Sequence, residues 1–298
     1  MLTFHPLGIE DKIWIDERVR ASGTRSADYS FGNMFMWDGR YRQLVCDFGG
    51  RLVALARAHG APIYPFPVGS GQLEPVIAEM RRYAGENGFP FVIRGVEDTG
   101  REQLERLFPG EFLFTEDREF EDYIYSAEKL DTLAGKKLHA KRNYVNRFCG
   151  EREWSFRALG REDFPGCLSL LRRWRAEGKE HDDYASGEHA AIVRAFEYYD
   201  ELALVGGALF AGGELIAFTV GERISADTVD IHFEKADAEI DGAYAMINRE
   251  FVRLLRSRWP ELEYINREED MGLENLRRSK LSYHPEYLLR KYTAAWRP

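Results

Sequence analysis

The chain has 298 residues, 44% hydrophobic and 31% charged, with a formal net charge of −9. That length suffices for two domains with separate cores, and the acidic balance argues against non-specific binding to nucleic acid or anionic membrane. Cys46, Cys149 and Cys167 form no CxxC pair and no disulfide framework, and the start at Met1, Leu2, Thr3, Phe4 lacks the basic and apolar regions of a secretory leader, so a cytoplasmic setting is expected.

In chain order, Tyr29, Phe31, Phe35, Met36, Trp37 and Tyr41 form an aromatic run. Its spacings of four predict short helical turns packed under a sheet. A hairpin is expected over 42–57, turning at Gly49 and Gly50. The run Ile63 to Val68 reads as an edge or splayed strand, because Pro62, Pro65 and Pro67 interrupt its ladder. Gly69, Ser70 and Gly71 lead into an amphipathic helix at 72–86; no lysine follows in P-loop register, so a plain strand-to-helix turn is the simpler reading of that loop. A strand at 91–96, a helix at 101–108 and a strand pair over 112–125 follow.

A basic helix is expected at 134–148, where Lys136, Lys137, Lys141, Arg142 and Arg147 occur without an acid. A solvated linker helix usually mixes both signs, so this patch points to an anionic partner. Beyond it, Asp163 and Pro165 start a helix with the stripe Leu168, Leu171 and Trp174. The polar stretch 178–187 reads as a loop; His181 beside Asp182 and Asp183 has no metal-ligand spacing, so no metal site is expected. Leu202 to Val220 is apolar, but two glycine pairs and Glu214 make it a hairpin and not a membrane span, and no transmembrane segment is expected. A strand at 228–233, a helix at 243–258 and a strand at 262–266 close the second half.

The two halves repeat one order. Gly49 and Gly50 in the first correspond to Gly212 and Gly213 in the second, and Phe108 to Leu113 to His284 to Leu289. The repeat predicts an α/β (α+β) chain of two copies of one domain, each a mixed, mostly antiparallel sheet flanked by helices. The expected division is 1–130, a connecting helix at 131–150, and 151–298, with the probable active site in the last part.

Hairpin, strand, helix, strand, helix, strand is the order of the GNAT acyltransferase fold. At the place of that family's pyrophosphate loop stand Glu239, Ile240, Asp241, Gly242, Ala243 and Tyr244. Gly242 fits, while Asp237, Glu239 and Asp241 would repel a pyrophosphate. The strings LAGKKLHAKRNYVNRF at 133–148, YINREEDMGLENLRRSKLSYHPEYLLRKY at 264–292 and DYSFGNMFMWDGRYR at 28–42 resemble the signatures of the phosphatidylglycerol lysyltransferase C-terminal-like family, long a domain of unknown function. The resemblance implies tandem GNAT domains related to Fem-type aminoacyl transferases, which move an amino acid from aminoacyl-tRNA to an amine or hydroxyl.

An ester donor is already activated, so the enzyme needs chiefly to orient an acceptor, take its proton and steady the oxyanion. Asn266 is the candidate for orienting the carbonyl, Glu268, Glu269 or Asp270 for holding an ammonium or taking a proton, and Tyr283 or Tyr287 for protonating the leaving group. Asp270 has a structural alternative as the cap of a helix beginning near Leu273. Lys136, Lys137, Lys141, Arg142, Asn143 and Asn146 are candidates for tRNA phosphate, and Gly242 with Tyr244 for the donor's anionic part; Tyr144 and Phe148 are expected to be buried. No cofactor is certain. The donor that the resemblance implies is aminoacyl-tRNA, with acetyl-coenzyme A as the alternative; the expected acceptor is a small molecule or peptide, and a non-catalytic binding protein is the third reading.

Overall fold

The computed structural model describes residues 1–58, 60–176 and 182–297. His181 lies outside the described residues, as do the side chains of Trp174, Asp182, Asp183 and Tyr184. Among the described residues the strands are β1 (His5–Pro6), β2 (Leu44–Phe48), β3 (Arg51–Ala58), β4 (Ala61–Pro65), β5 (Val68–Gly69), β6 (Val92–Val96), β7 (Phe112–Glu116), β8 (Asp122–Ser126), β9 (Trp154–Ala158), β10 (Val205–Ala211), β11 (Glu214–Arg223), β12 (Thr228–Ala236), β13 (Tyr264–Asn266), β14 (Tyr287–Leu289) and β15 (Tyr292–Trp296).

They form two mixed sheets. The first has the order β1-β2-β3-β4-β6-β15-β7, with β5 paired to β3; the second, read from its far edge, is β9-β10-β11-β12-β13-β8-β14. Position for position the two orders match, with a parallel pair at the same place in each: Tyr64 faces Ile93 in the first and Val229 faces Ile265 in the second. The repeat read in the sequence is thus a repeat of architecture.

One slot in each sheet is filled from the other half of the chain. β15 pairs with β6 and β7, while β8 pairs with β13. The expected strand pair over 112–125 is therefore corrected: both strands exist, but they belong to different sheets. The compact units follow this exchange, one comprising Met1–Asp122, Glu269–Leu273 and Leu288–Pro298, the other Tyr123–Glu268 and Glu274–Tyr287. The division expected from chain order runs straight from 1 to 298 without such an exchange.

In the first unit the helix Leu73–Glu86 buries Leu73, Val76, Ile77, Met80 and Ala84, a three-and-four spacing that puts one stripe on the sheet. Phe91, Ile93, Phe112, Tyr292 and Ala294 complete that core, two of them from the C-terminal strand. The aromatic run forms the short helices Phe31–Met36 and Asp38–Tyr41, with Phe31 and Phe35 stacked at 5.7 Å. The glycine loop at 69–71 is a closed turn, since the Arg51 guanidinium donates to the carbonyls of Gly71 and Pro67, each at 2.7 Å.

In the second unit the helix Ala243–Arg258 buries Met246, Ile247, Phe251, Val252 and Leu255 against the sheet. The connecting helix is His139–Glu151, not 134–148. Leu133 and Gly135 adopt left-handed φ angles of 49° and 88°, which break a helical path there. Lys136 and Lys137 consequently lie in the turn ahead of the helix. Phe148 is buried as expected, but Tyr144 is 42% exposed and Val145 takes the inner position. Part of the expected loop at 178–187 is also helical, in Asp182–Glu197.

Candidate active site

In the second sheet the parallel pair β12 and β13 is short. Its register runs from Thr228 opposite Tyr264 to Asp230 opposite Asn266, and there β13 ends while β12 continues to Ala236. Parted parallel strands leave polar groups at their ends free to face a ligand, as at the carboxyl ends of α/β sheets. On its other side β12 meets a register shift in β11 at Val220 and Gly221. Gly221 is required there, because a Cβ would lie 2.4 Å from the Asp230 carbonyl oxygen.

The centre of this region is His232, whose imidazole is buried among acids. Its Nδ1 lies 3.2 Å from Glu268 Oε1 and 3.5 Å from Asp230 Oδ2, and its Nε2 lies 3.3 Å from Glu222 Oε2. Burial alone would push the imidazole down, yet the charge of Asp230 and the hydrogen bonds to Glu222 and Glu268 outweigh it and raise it to about 10. An imidazolium donates from both nitrogens, which suits carboxylates on both sides. Asp230, His232 and Glu268 also bring possible ligand atoms within 4.8 Å of one another, the sort of group that can hold a cation. A proton and a metal ion would compete for the same ring lone pair, so the group can serve either as an ion-pair network or as a cation site.

Asn266 and Glu268 are brought together. Asn266 is fully buried, and its Oδ1 accepts the Glu268 N–H at 2.7 Å. Glu268 has a left-handed φ of 55°, which that side-chain bond helps to hold, and its carboxylate is 19% exposed. Glu269 and Asp270 belong to the first unit. Asp270 is buried there, paired with Arg118 Nη1 at 3.2 Å, and its Oδ1 accepts the Gly272 N–H at 2.9 Å. It shapes the turn before the helix Glu274–Leu281. Glu269 lies within electrostatic reach of Lys291 and Tyr41 of the same unit.

Tyr283 is buried beside a second set of groups in the second unit. Its ring has Tyr125 edge-on at 6.5 Å, the Lys141 ammonium 4.0 Å from its centre and the Arg267 guanidinium carbon at 4.9 Å. Burial raises the Tyr283 hydroxyl, so it keeps its proton. Burial, then repulsion by Arg267, pushes the Lys141 ammonium down to about 8. Arg267 Nη2 pairs with Glu234 Oε1 at 2.8 Å, and Asn248 Nδ2 donates to Glu234 Oε2 at 3.0 Å. Tyr287 is 36% exposed, its ring edge-on to Tyr264.

The remaining candidates divide by exposure. Lys136, Lys137, Asn143 and Asn146 are exposed, whereas Arg142 donates to the carbonyls of Leu133 and Gly135 and so ties down the turn ahead of its own helix. Gly242 stands at the N-terminus of the helix Ala243–Arg258 with φ of 86°. A Cβ on it would lie 2.9 Å from the Tyr144 carbonyl oxygen and 3.2 Å from Phe148 Cβ, so this helix end is packed against the connecting helix. Tyr244 is half-buried, and burial raises its hydroxyl.

His232, Glu222, Glu234 and Asn248 are candidate site residues that the sequence reading does not single out, and Arg267 is given no role there. One signal was there: Asp230, His232 and Glu234 recur at every second position in a strand whose other residues are Val229, Ile231 and Phe233. Among the described residues no helix is long and apolar enough to cross a membrane.

The chain is similar in sequence to an uncharacterised protein of Mycoplasmoides gallisepticum, 27% identical over 174 residues, 57% of this chain and 54% of that protein. The match thus spans about half the length of that relative. A conserved protein of unknown function from Bacteroides thetaiotaomicron has a similar structure, with a TM-score of 0.95 and 36% identity over 100% of both chains. The fold is also similar to that of L-PGS from Bacillus licheniformis (TM-score 0.67, 16% identity, 98% of this chain and 92% of the other) and of a tandem GNAT protein from the clavulanic acid biosynthesis pathway (0.51, 14%, 100% and 99%). The sequence profile described as phosphatidylglycerol lysyltransferase, C-terminal, matches residues 20–295, and the chain belongs to that family.

Proposed function

We propose that this chain is an aminoacyltransferase that takes an aminoacyl group from tRNA and passes it to a hydroxyl or amine, working in the cytoplasm with its reacting groups in the second unit. The observation that carries this reading is the Glu268 carboxylate, partly exposed where β12 and β13 part and hydrogen-bonded to the His232 imidazole. Family membership supports the reaction class, and the family's description makes a glycerol hydroxyl of phosphatidylglycerol the first acceptor to try.

The step follows from the groups present. The acceptor oxygen or nitrogen attacks the ester carbonyl while its proton passes to Glu268, the bond between the acyl carbon and the ribose oxygen breaks, and the leaving oxygen takes that same proton from Glu268, which returns to its starting form. His232 holds Glu268 in place through the 3.2 Å contact of its Nδ1 with Oε1. Asn266 is a positioning residue, since its Oδ1 is committed to the Glu268 backbone. Tyr283, which burial keeps protonated, supplies a hydrogen-bond donor rather than a ready proton. Lys136, Lys137, Asn143 and Asn146 are the exposed groups proposed to meet tRNA phosphate. The packing of Tyr144 and Phe148 against Gly242 leaves little room for a pyrophosphate at that helix end, which favours this donor over acetyl-coenzyme A.

The test is transfer of radiolabelled lysine from charged tRNA to vesicles containing phosphatidylglycerol, or to small amines. Label in the lipid or amine is expected. Acetylation from acetyl-coenzyme A with no aminoacyl transfer to any acceptor would overturn the reading.

A further inference from the structure

Two consecutive residues beyond β13 reach the same row of β12. The Glu268 carboxylate meets His232 at 3.2 Å, and the Arg267 guanidinium meets Glu234 at 2.8 Å. Consecutive side chains of an extended strand point to opposite sides. Here the left-handed φ of 55° at Glu268, held by Asn266 Oδ1, breaks that alternation and sets an anion beside a cation. Their anchors are two positions apart on β12, about 6.6 Å along a strand. Arg267 is firmly held. Glu234 takes its Nη2 and is itself fixed by Asn248 Nδ2 at 3.0 Å, while the rings of Tyr125 and Tyr283 lie 5.7 and 4.9 Å from the guanidinium carbon. Its Nη1, however, is shielded from solvent and has no hydrogen-bond partner among the described residues. A spare N–H on a buried, charged group is costly, and an oxygen brought by a ligand would satisfy it. Neither side chain is sealed off, since Arg267 keeps 12% of its surface and Glu268 19%.

We infer that Arg267 is a catalytic residue, its Nη1 donating to the carbonyl oxygen of the donor ester as that oxygen becomes negative. The inference rests on the aminoacyl transfer proposed above and adds what Glu268 cannot give, a donor for the oxyanion. The acceptor's oxygen or nitrogen bonds to the acyl carbon, its proton passes to Glu268, and the carbonyl's π pair moves onto the oxygen that faces Nη1. When that pair returns, the bond to the ribose oxygen breaks and the leaving oxygen takes the proton back from Glu268. A hydrogen bond of about 2.8 Å at either end, with the attacking atom, the carbon and its oxygen between, covers about 7–8 Å when extended and less when bent. That span suits a base and a donor whose anchors are two strand positions apart. A charged donor already fixed by Glu234 and two rings, in a place largely without water, needs no reorganisation as the negative charge forms. Glu234 and Asn248 are then positioning residues, which hold the guanidinium by its other nitrogen.

The full chain is titrated by calorimetry with two stable mimics of the donor's reacting end. One is the lysyl amide of 3′-amino-3′-deoxyadenosine, whose carbonyl is planar. The other is the matching phosphonate, in which a tetrahedral phosphorus with an anionic oxygen replaces the acyl carbon. The unaltered chain is expected to bind the phosphonate about 10²- to 10³-fold more tightly than the amide. Arg267→Gln should abolish most of that preference while its affinity for the amide stays within about threefold, so the amide also reports that the variant is folded. If Arg267→Gln does not fold, Glu234→Gln, which keeps the guanidinium but loosens its hold, should cut the preference about tenfold. A preference that survives in the variant, or equal losses for both mimics, would overturn the role of Arg267 and leave the aminoacyl reading standing. Binding of neither mimic by the unaltered chain would overturn that reading and this inference together.

Discussion

His232 Nδ1 and Glu268 Oε1 stand 3.2 Å apart, a ring on β12 reaching a side chain beyond the end of β13. With Asp230 and Glu222 also beside the ring, the imidazolium is the positive charge that lets three carboxylates share one buried place. His232→Gln removes that charge and leaves the acids facing one another. A loss of about 3–5 kcal/mol in unfolding free energy is expected. The pH dependence has a definite sign, because the folded-state value of about 10 lies above the ordinary 6.5. The stabilisation is complete below pH 6.5 and is lost as pH rises towards 10. Urea unfolding at a series of pH values should therefore show the gap between wild type and His232→Gln widest near pH 6 and narrowing through pH 9. A constant gap would mean that the ring is neutral in the fold.

Glu268→Gln keeps the size and one acceptor oxygen of the side chain but removes the base. With charged tRNA and a working acceptor, kcat should fall about 10²- to 10⁴-fold with little change in KM, while thermal unfolding moves by a degree or two at most. A large rise in KM with kcat preserved would instead make Glu268 a binding group.

Asn266→Ala deletes the acceptor of the Glu268 N–H in a fully buried turn. Its expected cost is about 1–3 kcal/mol, with a loss of activity that Asn266→Asp partly recovers because an oxygen remains to accept that N–H. Equal activity in the alanine and aspartate variants would remove the positioning role.

The order of strands and helices was open to sequence reading because apolar periodicity is a local property. The partner of a strand is not. Phe112 to Glu116 and Asp122 to Ser126 lie a few residues apart and invite a hairpin, yet Ala294 is what faces Phe114 and Ile265 is what faces Tyr125. The site divides in the same way. Asn266 and Glu268 were legible as polar residues at the end of a core strand, whereas the significance of Arg267 depends on Glu234, Asn248 and Tyr283, which come together only through the fold. Lys141 read as one cation among several on a basic helix facing an anionic partner. Its difference from Lys137 is its burial against Tyr283, and the start of the helix at His139 keeps the two from sharing a helical face.

Gly242→Ala tests the packing of the helix end. At φ of 86° any side chain is strained, and here its Cβ also meets the Tyr144 carbonyl oxygen at 2.9 Å. The substitution should destabilise the chain by about 1–3 kcal/mol in urea unfolding. A neutral effect would indicate that the connecting helix yields easily, and the pyrophosphate position would then be open.

Lys291 is 1% exposed, its ammonium 2.8 Å from Asp122 and 2.9 Å from Asp28, all within the first unit. Burial works against the charge, but Asp122 and Asp28, with Glu269 also contributing, hold this lysine well above its ordinary value, so it is protonated at neutral pH. Asp28, for its part, is raised by burial more than Lys291 lowers it. Lys291→Met therefore leaves acids buried without their cation, and a loss of about 3–5 kcal/mol is expected. Asp122→Asn in the same chain should restore part of it. An asparagine oxygen can still accept the Ala27 N–H that Asp122 Oδ2 now accepts at 3.0 Å, while the uncompensated charge is gone. The double variant should be more stable than the sum of the single losses by at least about 1 kcal/mol, measured as a double-mutant cycle by urea unfolding. Since Lys291 immediately precedes β15, the same pair helps to fix that strand between β6 and β7, and Lys291→Met should speed amide exchange at Ala294 and Ala295 more than at Val53 or Ala54 in the same sheet. Additive losses with uniform exchange would mean that apolar packing alone holds the strand.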